Sequence, residues 1–211
     1  MCTDYRRTKG YAAMRDEFSD IRLPIRVPAS DAAPNLEPQD EIRPTNRAIV
    51  FRAHNDGVEL VAMRWGLVPF FHKGPLKAWK AATFNAKAET AKTLASFREP
   101  FKRRRCLIAA DGWVEWKGEG TPKPKFYIEP RDGEPMCFAG LWCRTRSVED
   151  GEVESFTMVT QPPGALSGVH DRAPIVLWQK DWARWLDLDA DVDDLLSVEP
   201  ADRFTVRSFT P

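Results

Sequence analysis

The chain has 211 residues, 43% of them hydrophobic and 29% charged, which is the composition of a globular protein with its own core. Basic and acidic residues number 31 each, so the zero net charge excludes a global attraction to nucleic acid or membrane, and any nucleic-acid site must be a local patch. No apolar run approaches the roughly 20 residues of a membrane span, and the first residues do not resemble a secretion signal. We therefore expect a cytoplasmic protein that makes no membrane contact. We also expect a monomer, although no feature of the sequence determines the oligomeric state.

The first half of the chain predicts a helix, a long irregular segment and a hairpin. Apolar residues at helical spacing predict a short amphipathic helix over residues 9–21. Five prolines between positions 22 and 48 predict an irregular connection there. The turn sequence His54-Asn55-Asp56-Gly57 then predicts a hairpin of two strands, over residues 48–53 and 58–65.

The second half is dominated by predicted strands. A helix over residues 87–97, rich in Ala, Lys and Glu, precedes them, and helices over 180–187 and near 191–196 follow them. The predicted strands cover residues 105–110, 113–117, 125–129, 136–142, 155–160 and 175–178. Many strands with few helices favour an α+β fold, a single domain over residues 1–211 whose sheet is mainly antiparallel and barrel-like.

One of the four cysteines differs from the others. Cys106, Cys137 and Cys143 have apolar or aromatic neighbours and no Cys-x-x-Cys pair occurs, so we interpret them as buried hydrophobic side chains and not as metal ligands. Cys2 has polar neighbours. Removal of Met1 would give Cys2 a free amine with a reference pKa of ~7.7–8.0 beside a thiol of ~8.5. Such a 1,2-aminothiol condenses with an aldehyde to an imine and then a thiazolidine. The alternative is that a cysteine at position two has no function.

Three further segments place polar residues where a plain core does not need them. Asn85 precedes the predicted helix, where it is either a helix cap or an amide that holds a nucleophile or a sugar hydroxyl. Glu115, between two tryptophans in a predicted strand, is either buried with a raised pKa suited to acid–base work, or turned to solvent by strand alternation. His170, in a loop bounded by glycine and proline, is either a catalytic group that titrates near neutrality or inert.

These segments, taken together and in this order, resemble the SOS-response-associated peptidase (SRAP) family, whose members crosslink to abasic sites in DNA. Each motif is weak by itself, but eight in the right order make a specific pattern. The matching stretches are Met1-Cys2, Ile42-Arg43-Pro44-Thr45, Arg64-Trp65-Gly66-Leu67-Val68-Pro69, Asn85-Ala86-Lys87-Ala88-Glu89-Thr90, Arg105-Cys106-Leu107-Ile108, Asp111-Gly112-Trp113-Val114-Glu115-Trp116-Lys117, Phe138-Ala139-Gly140-Leu141-Trp142 and Val169-His170-Asp171-Arg172-Ala173-Pro174.

The resemblance implies an active site and a partner. The active site comprises Cys2, Asn85, Glu115 and His170, in which Glu115 is the general acid–base, His170 shuttles protons, and Asn85 positions the Cys2 amine and the sugar. The partner is single-stranded DNA that contains an abasic site, bound without metal or other cofactor, so the protein would associate with the nucleoid when bound. The candidate DNA contacts are Arg6, Arg7, Pro44, Trp65, Phe70, Phe71, Lys87 and Arg172.

Other residues are candidates for the same DNA groove because such a groove needs cations and stacking faces. Trp79 is a further candidate stacking face, and the alternative for the basic run from Lys102 to Arg105 is a solvated surface stretch. Further candidate cations are Arg98, Lys102, Arg103 and Arg104.

The chain departs from the family pattern at several positions near these contacts. The family commonly begins Met-Cys-Gly-Arg, whereas this chain has Thr3 and Asp4. Lys87 replaces the usual arginine, which keeps the charge but loses bidentate phosphate geometry. Phe70 and Phe71 stand where the family tends to place a tryptophan. These changes bear on DNA affinity more than on the covalent chemistry.

The expected function is capture of abasic sites through a Cys2 thiazolidine, which would protect damaged DNA in the SOS response. Weak lyase activity would follow from β-elimination of the imine, and self-cleavage from the peptidase role in the family name. One alternative is a cysteine peptidase in which Cys2 attacks a peptide carbonyl with His170 as base. A second is a non-catalytic module that binds single-stranded DNA.

Overall fold

A computed structural model describes residues 2–26, 35–117, 123–168, 171–196 and 201–209. In these ranges the chain forms four short α-helices and fourteen strands, besides several single 3-10 turns. The helices are α1 (Tyr11–Asp20), α2 (Ala88–Ala91), α3 (Arg98–Arg103) and α4 (Trp182–Leu186). The strands are β1 (Tyr5–Arg7), β2 (Ile25–Arg26), β3 (Gln39–Ile42), β4 (Arg47–His54), β5 (Gly57–Trp65), β6 (Asn85–Lys87), β7 (Arg105–Ala109), β8 (Gly112–Trp116), β9 (Lys125–Pro130), β10 (Met136–Ser147), β11 (Gly151–Gln161), β12 (Ala173–Pro174), β13 (Val176–Trp178) and β14 (Phe204–Phe209).

Five strands close into a barrel. They follow the order β11-β10-β7-β4-β5, and β5 then pairs with β11 to complete the ring. Its neighbouring strands are antiparallel except at this closure, where β5 and β11 run parallel with Ser155 opposite Arg64. Short strands extend it, because β2 pairs with β5, β6 and β12 pair with β11, and β13 pairs with β10. The α+β, mainly antiparallel, barrel-like prediction is confirmed.

A second sheet has the order β14-β9-β8-β1-β3 and carries the N-terminus. Alternate side chains of the barrel strands face two apolar cores, as the two-residue period of a strand requires. One core includes Val50 and Ile108 from the barrel with Tyr5 and Trp113 from the second sheet. The other packs α1 and α4 against the opposite faces of the same barrel strands. The second sheet therefore presses the N-terminal segment against the barrel.

Several local predictions hold at the level of single elements. The amphipathic helix is α1, and the predicted hairpin is β4 and β5, whose turn contains Asn55 in the left-handed region at φ 49°. The six strands predicted after residue 104 all form, with bounds that differ by a few residues except at β10 and β11, which are longer. Cys106, Cys137 and Cys143 are buried as predicted.

Other local predictions were wrong. The proline-rich segment 22–48 contains β2 and β3, because β2 pairs with the long strand β5 and β3 pairs with β1. The helix predicted over 87–97 is a single turn, α2, and the separate helix α3 follows it. The helix predicted near 191–196 is only a 3-10 turn. Sequence analysis missed β1 and β14, which are edge or near-edge strands of mixed composition.

No helix in the described ranges has both the length and the apolar composition needed to cross a membrane.

Candidate active site

The N-terminal segment lies along β8 and so brings Cys2 to Glu115. Tyr5 of β1 pairs with Trp113 in antiparallel register, and the Val114 amide donates to the Asp4 carbonyl at 2.9 Å. Because β1 and β8 are antiparallel, residues before Tyr5 run toward the end of β8 that carries Glu115. The Cys2 side chain is fully buried, and its thiol donates a long contact to the Asp4 carbonyl at 3.6 Å.

Asn85 holds the backbone of Cys2 from a different element. It lies on β6, which pairs in parallel with β11 and places Asn85 opposite Met158. The Asn85 side-chain amide is buried, and its Nδ2 donates to the Cys2 carbonyl at 2.7 Å. Lys87, and not Asn85, precedes α2, so the helix-cap interpretation was wrong. Asn85 Oδ1 is buried and has no hydrogen-bond partner among the described residues.

Glu115 is buried, so the alternative that strand alternation turns it to solvent was wrong. Its residue exposure is 2%, since β8 lies between β1 and β9 and the face that bears Glu115 is the face that packs Trp113 into the core. Burial, opposed by the charge of the N-terminal amine and helped by the charge of Asp171, raises the pKa of this carboxyl to about 8. Glu115 is therefore largely protonated at neutral pH and can donate a proton.

The Cys2 thiol shares this environment. Burial raises the pKa of the thiol well above its ordinary value, and the negative charge of Glu115 adds to the shift. The reference pKa of ~8.5 predicts a thiol that is partly ionised at neutral pH, whereas the buried thiol stays protonated. The chemistry at Cys2 must therefore move the thiol proton as the sulfur reacts.

His170 lies outside the described residues, and its predicted role stays a prediction. The next residue, Asp171, is described, is exposed, and acts on Glu115 through its charge. Sequence analysis did not single out Asp171, although an acid directly after a histidine in a loop bounded by glycine and proline was a usable signal. The structure thus brings together Cys2, Asn85 and Glu115, with Asp171 near them.

Arg172 is held by an ion pair. Its guanidinium donates two hydrogen bonds to the Glu89 carboxylate, at 2.6 and 2.9 Å, and a third to the Thr160 carbonyl at 2.7 Å. Hydrogen bonding to Arg172 lowers the pKa of Glu89 to about 2, so the pair stays ionised at any pH at which the protein would be assayed. The pair ties the segment that follows His170 to α2 and β11.

We expect Glu89→Gln to slow any chemistry at Cys2 several-fold, because the segment that follows His170 loses its ion pair with α2. Stability should change by less than about 1 kcal/mol, because Glu89 is half exposed. The salt dependence of DNA binding should not change, because Arg172 stays on the Thr160 carbonyl. A steeper salt dependence, measured by fluorescence anisotropy, would contradict this role, since it would show that Arg172 had been released to a phosphate.

Two of the predicted DNA contacts are unavailable in this conformation. Arg7 is buried, and its guanidinium donates to the carbonyls of Lys9 and Glu37. Trp65 is fully buried, and its indole N–H donates to the Phe84 carbonyl at 2.7 Å. Sequence analysis could not distinguish these residues from surface residues, because β1 was missed and a strand-end tryptophan fits either environment. Trp65 packs in the same apolar core as Cys2, and Arg7 links β1 to the segment before β3.

Other predicted contacts lie at the surface. Phe70 and Phe71 are 46% and 44% exposed, and their rings contact edge-to-face at 5.5 Å between centroids. The half-buried Trp79 contacts Phe71 at 6.2 Å, so the three rings form one aromatic cluster on the loop after β5. Lys87 is exposed. Such a combination of aromatic rings and a cation is typical of surfaces that bind single-stranded nucleic acid.

Arg6 and Pro44 are half-buried. The Arg6 guanidinium lies over the Tyr127 ring at 4.2 Å from its centroid. Pro44 lies in the turn before β4, next to Thr45, which has a left-handed φ of 80°. Thr45 keeps this conformation because its amide donates to the Trp65 carbonyl at 2.8 Å. Both positions are partly open to a ligand.

Asp4 replaces the arginine that the family pattern would place there. Its side chain is buried, and burial together with the charge of Glu41 raises the pKa of Asp4 to about 6. It shares a strand face with Val114, opposite the face of Tyr5 and Trp113. The charge of Asp4 also helps to raise the pKa of the Cys2 thiol, so the substitution changes the electrostatics of the candidate site itself.

Comparison with known proteins gives a consistent picture over the whole chain. A model of the SOS response associated peptidase (SRAP) family matches residues 1–210. The abasic site processing protein YMR114C of Saccharomyces cerevisiae is 31% identical over 192 residues, which are 81% of this chain and 51% of that protein. The abasic site processing protein YoqW of Bacillus subtilis is 29% identical over 205 residues, 95% of this chain and 90% of that protein. The chain thus spans about half the length of the yeast relative and most of the bacterial one.

Two crystal structures share the fold. A protein from Bacteroides thetaiotaomicron superposes with a TM-score of 0.85 at 23% identity, over 99% of this chain and 92% of that chain. A protein from Bordetella bronchiseptica superposes with a TM-score of 0.82 at 24% identity, over the full length of both chains. At these identities the likeness concerns the fold alone.

Proposed function

The chain belongs to the SOS response associated peptidase family, and we propose that it processes abasic sites in single-stranded DNA by bonding to them through Cys2. The relatives named as abasic site processing proteins support the substrate. The observation that carries the proposal is the hydrogen bond from Asn85 to the Cys2 backbone, beside a buried carboxyl with a pKa of about 8.

The proposed reaction starts from the ring-opened abasic sugar and a Cys2 whose amine is free after removal of Met1. The amine attacks the C1′ aldehyde, a C–N bond forms, and loss of one water leaves an imine. The thiol sulfur then bonds to the imine carbon as the C=N π bond breaks. The thiol proton passes to the nitrogen, and a five-membered thiazolidine results. The DNA strand stays uncut, which protects it during the damage response.

Each neighbouring group has a proposed role in these steps. Glu115, largely protonated at neutral pH, gives a proton to the departing hydroxyl and takes one back from the nitrogen as the neutral imine forms. Asn85 fixes the Cys2 carbonyl and, with its unpaired Oδ1, orients the amine or a sugar hydroxyl. His170 shuttles protons during imine formation and reversal. Removal of the C2′ proton from the imine instead would give weak lyase activity.

The protonated thiol favours this chemistry over a cysteine peptidase. A peptidase needs a thiolate or an adjacent base to attack an unactivated amide, whereas burial raises the pKa of Cys2. An imine carbon is a stronger electrophile, and its nitrogen accepts the proton that the thiol loses. The aromatic cluster of Phe70, Phe71 and Trp79, with Lys87, would stack bases and meet phosphates beside the site.

Intact-protein mass spectrometry tests the proposal directly. After incubation with an abasic oligonucleotide, the product should have the mass of the protein without Met1 plus the oligonucleotide less one water, and fragmentation should place the adduct on Cys2. An oligonucleotide with a tetrahydrofuran spacer, which has no aldehyde, is the control and should give no adduct. An adduct on a lysine, or none on the aldehyde-bearing strand, would refute the proposal.

A further inference from the structure

A cationic cavity lies one helical turn from the strand that carries Asn85. Its volume is about 530 Å³. Four cations and one carboxylate line it, and apolar atoms of Phe101 and Leu188 form part of its wall. The charged lining residues are Lys92, Arg98, Lys102, Arg105 and Glu99.

The positive charge of this cavity is compensated only in part, because Lys92 forms an ion pair with Asp193 whereas two other cations have no such partner in the described ranges. Arg98 and Lys102 are exposed and form no ion pair with any residue that the structure describes. The single carboxylate, Glu99, instead faces Arg104 at 3.5 Å. A second cavity, of about 590 Å³, has three arginines and three carboxylates in its lining, so cationic character is not a general property of cavities in this electrically neutral protein.

Arg105 gives the cavity a fixed cation. It is 4% exposed, and its guanidinium donates to the Trp185 carbonyl at 2.7 Å and to the Asp187 carbonyl. Burial lowers the pKa of Arg105, yet an arginine stays charged throughout the physiological range. A charged group held by carbonyls at the floor of a cavity recognises an anion better than flexible surface lysines do, because less side-chain entropy is lost on binding.

The position of the cavity relates it to Cys2. Asn85 contacts Cys2, and Lys87 is exposed two residues later at the start of α2. Lys92 follows α2 and lines the cavity. The single turn α2 separates Lys87 from Lys92, so the two cations lie at its two ends.

We propose that this cavity binds the backbone phosphates of the DNA that flanks the abasic site. The proposal deepens the proposed function and rests on it for the identity of the strand. Lys87 would meet the phosphate beside the abasic sugar, and Lys92, Arg98, Lys102 and Arg105 would meet the following ones. Sugar faces would contact Phe101 and Leu188.

Binding of undamaged single-stranded DNA of about 20 nucleotides tests the cavity without the covalent step, since strands of this length exceed typical site sizes. We expect the double variant Arg98→Ala/Lys102→Ala to bind about five- to tenfold more weakly at low salt. The slope of log affinity against log salt should fall by about 0.7 per cation removed. Both side chains are exposed, so folding should not change.

The matched control removes two other exposed cations, in the double variant Arg131→Ala/Lys180→Ala, which has the same net charge. It should bind nearly as the unmodified protein does. Equal weakening by both double variants would overturn the proposal, because it would show a general charge effect. An unchanged salt slope in the cavity variant would also overturn it, in favour of an acidic protein segment as the occupant.

Crosslinking separates this proposal from the proposed function. The cavity variant should crosslink a trinucleotide with a central abasic site at the normal rate, because that substrate is too short to reach the cavity. It should crosslink the longer strand more slowly at subsaturating protein. If the unmodified protein crosslinks neither the trinucleotide nor the longer strand, the covalent function is refuted. The anisotropy measurement on undamaged DNA would still show whether the cavity binds phosphates. Equal slowing of both substrates would refute the cavity proposal.

Discussion

Replacing Cys2 with alanine should abolish the adduct that survives denaturing electrophoresis. Alanine keeps the amine, so an imine can still form, but no thiol remains to close the ring and the imine hydrolyses. The carbonyl that accepts the Asn85 hydrogen bond is also kept, so the backbone at position two stays held. The assay is a denaturing gel of protein and abasic single-stranded DNA without reductant.

A serine at position two sharpens the test. Cys2→Ser should trap the strand only when borohydride reduces the imine, because an oxazolidine is a poorer trap than a thiazolidine. Cys143→Ala is the matched control, since Cys143 is equally buried but belongs to the other apolar core. It should crosslink normally. A stable adduct from Cys2→Ala in the absence of reductant would show that the sulfur is not the trap.

The sequence predicted elements well where local signals are strong. The hairpin of β4 and β5 has a turn sequence that favours left-handed residues, and Asn55 adopts that conformation. Helix α1 buries Met14 and Phe18 at the predicted helical spacing. These features depend on residues that are close in the chain, so periodicity and turn chemistry suffice.

The environment of the site could not be read from local patterns. Glu115 is buried because β1 and β9 flank β8, and Asn85 lies on a strand because β6 pairs with β11, so both outcomes depend on distant partners. The same holds for Arg7 and Trp65, whose partners lie up to 30 residues away. Propensity favoured a helix near Asn85, and tertiary pairing overrode it.

Replacing Glu115 with glutamine should slow crosslinking by about 10²–10⁴-fold, the usual contribution of a positioned acid–base group. Glutamine keeps the size and much of the hydrogen bonding of the side chain but cannot give or take a proton. The affinity for undamaged single-stranded DNA should stay near normal, since a buried carboxyl contributes little to a phosphate-binding surface. Crosslinking rate and DNA affinity are therefore measured separately, by quenched gels and by anisotropy.

The pH dependence of the crosslinking rate tests whether the proton of Glu115 takes part in the reaction. With a pKa of about 8, Glu115 is a proton donor below that pH and loses the proton above it, so the rate should fall as pH rises through about 8. The Gln variant should lack this descending limb. Stability gives an independent check, because a carboxyl with a raised pKa contributes stability that is complete below its ordinary pKa and is lost as pH rises through about 8.

Chemical denaturation at a series of pH values should detect the titration of Glu115 as a change in the free energy of unfolding. Between the ordinary carboxyl pKa of about 4.5 and the folded value of about 8, the unmodified protein should lose on the order of a few kcal/mol of unfolding free energy relative to Glu115→Gln. If the stability difference is present but crosslinking of the variant is unchanged, Glu115 is a buried structural acid and not a catalyst. If rate and DNA affinity fall in proportion, Glu115 supports the DNA-binding surface, and its assignment to proton transfer at Cys2 is wrong.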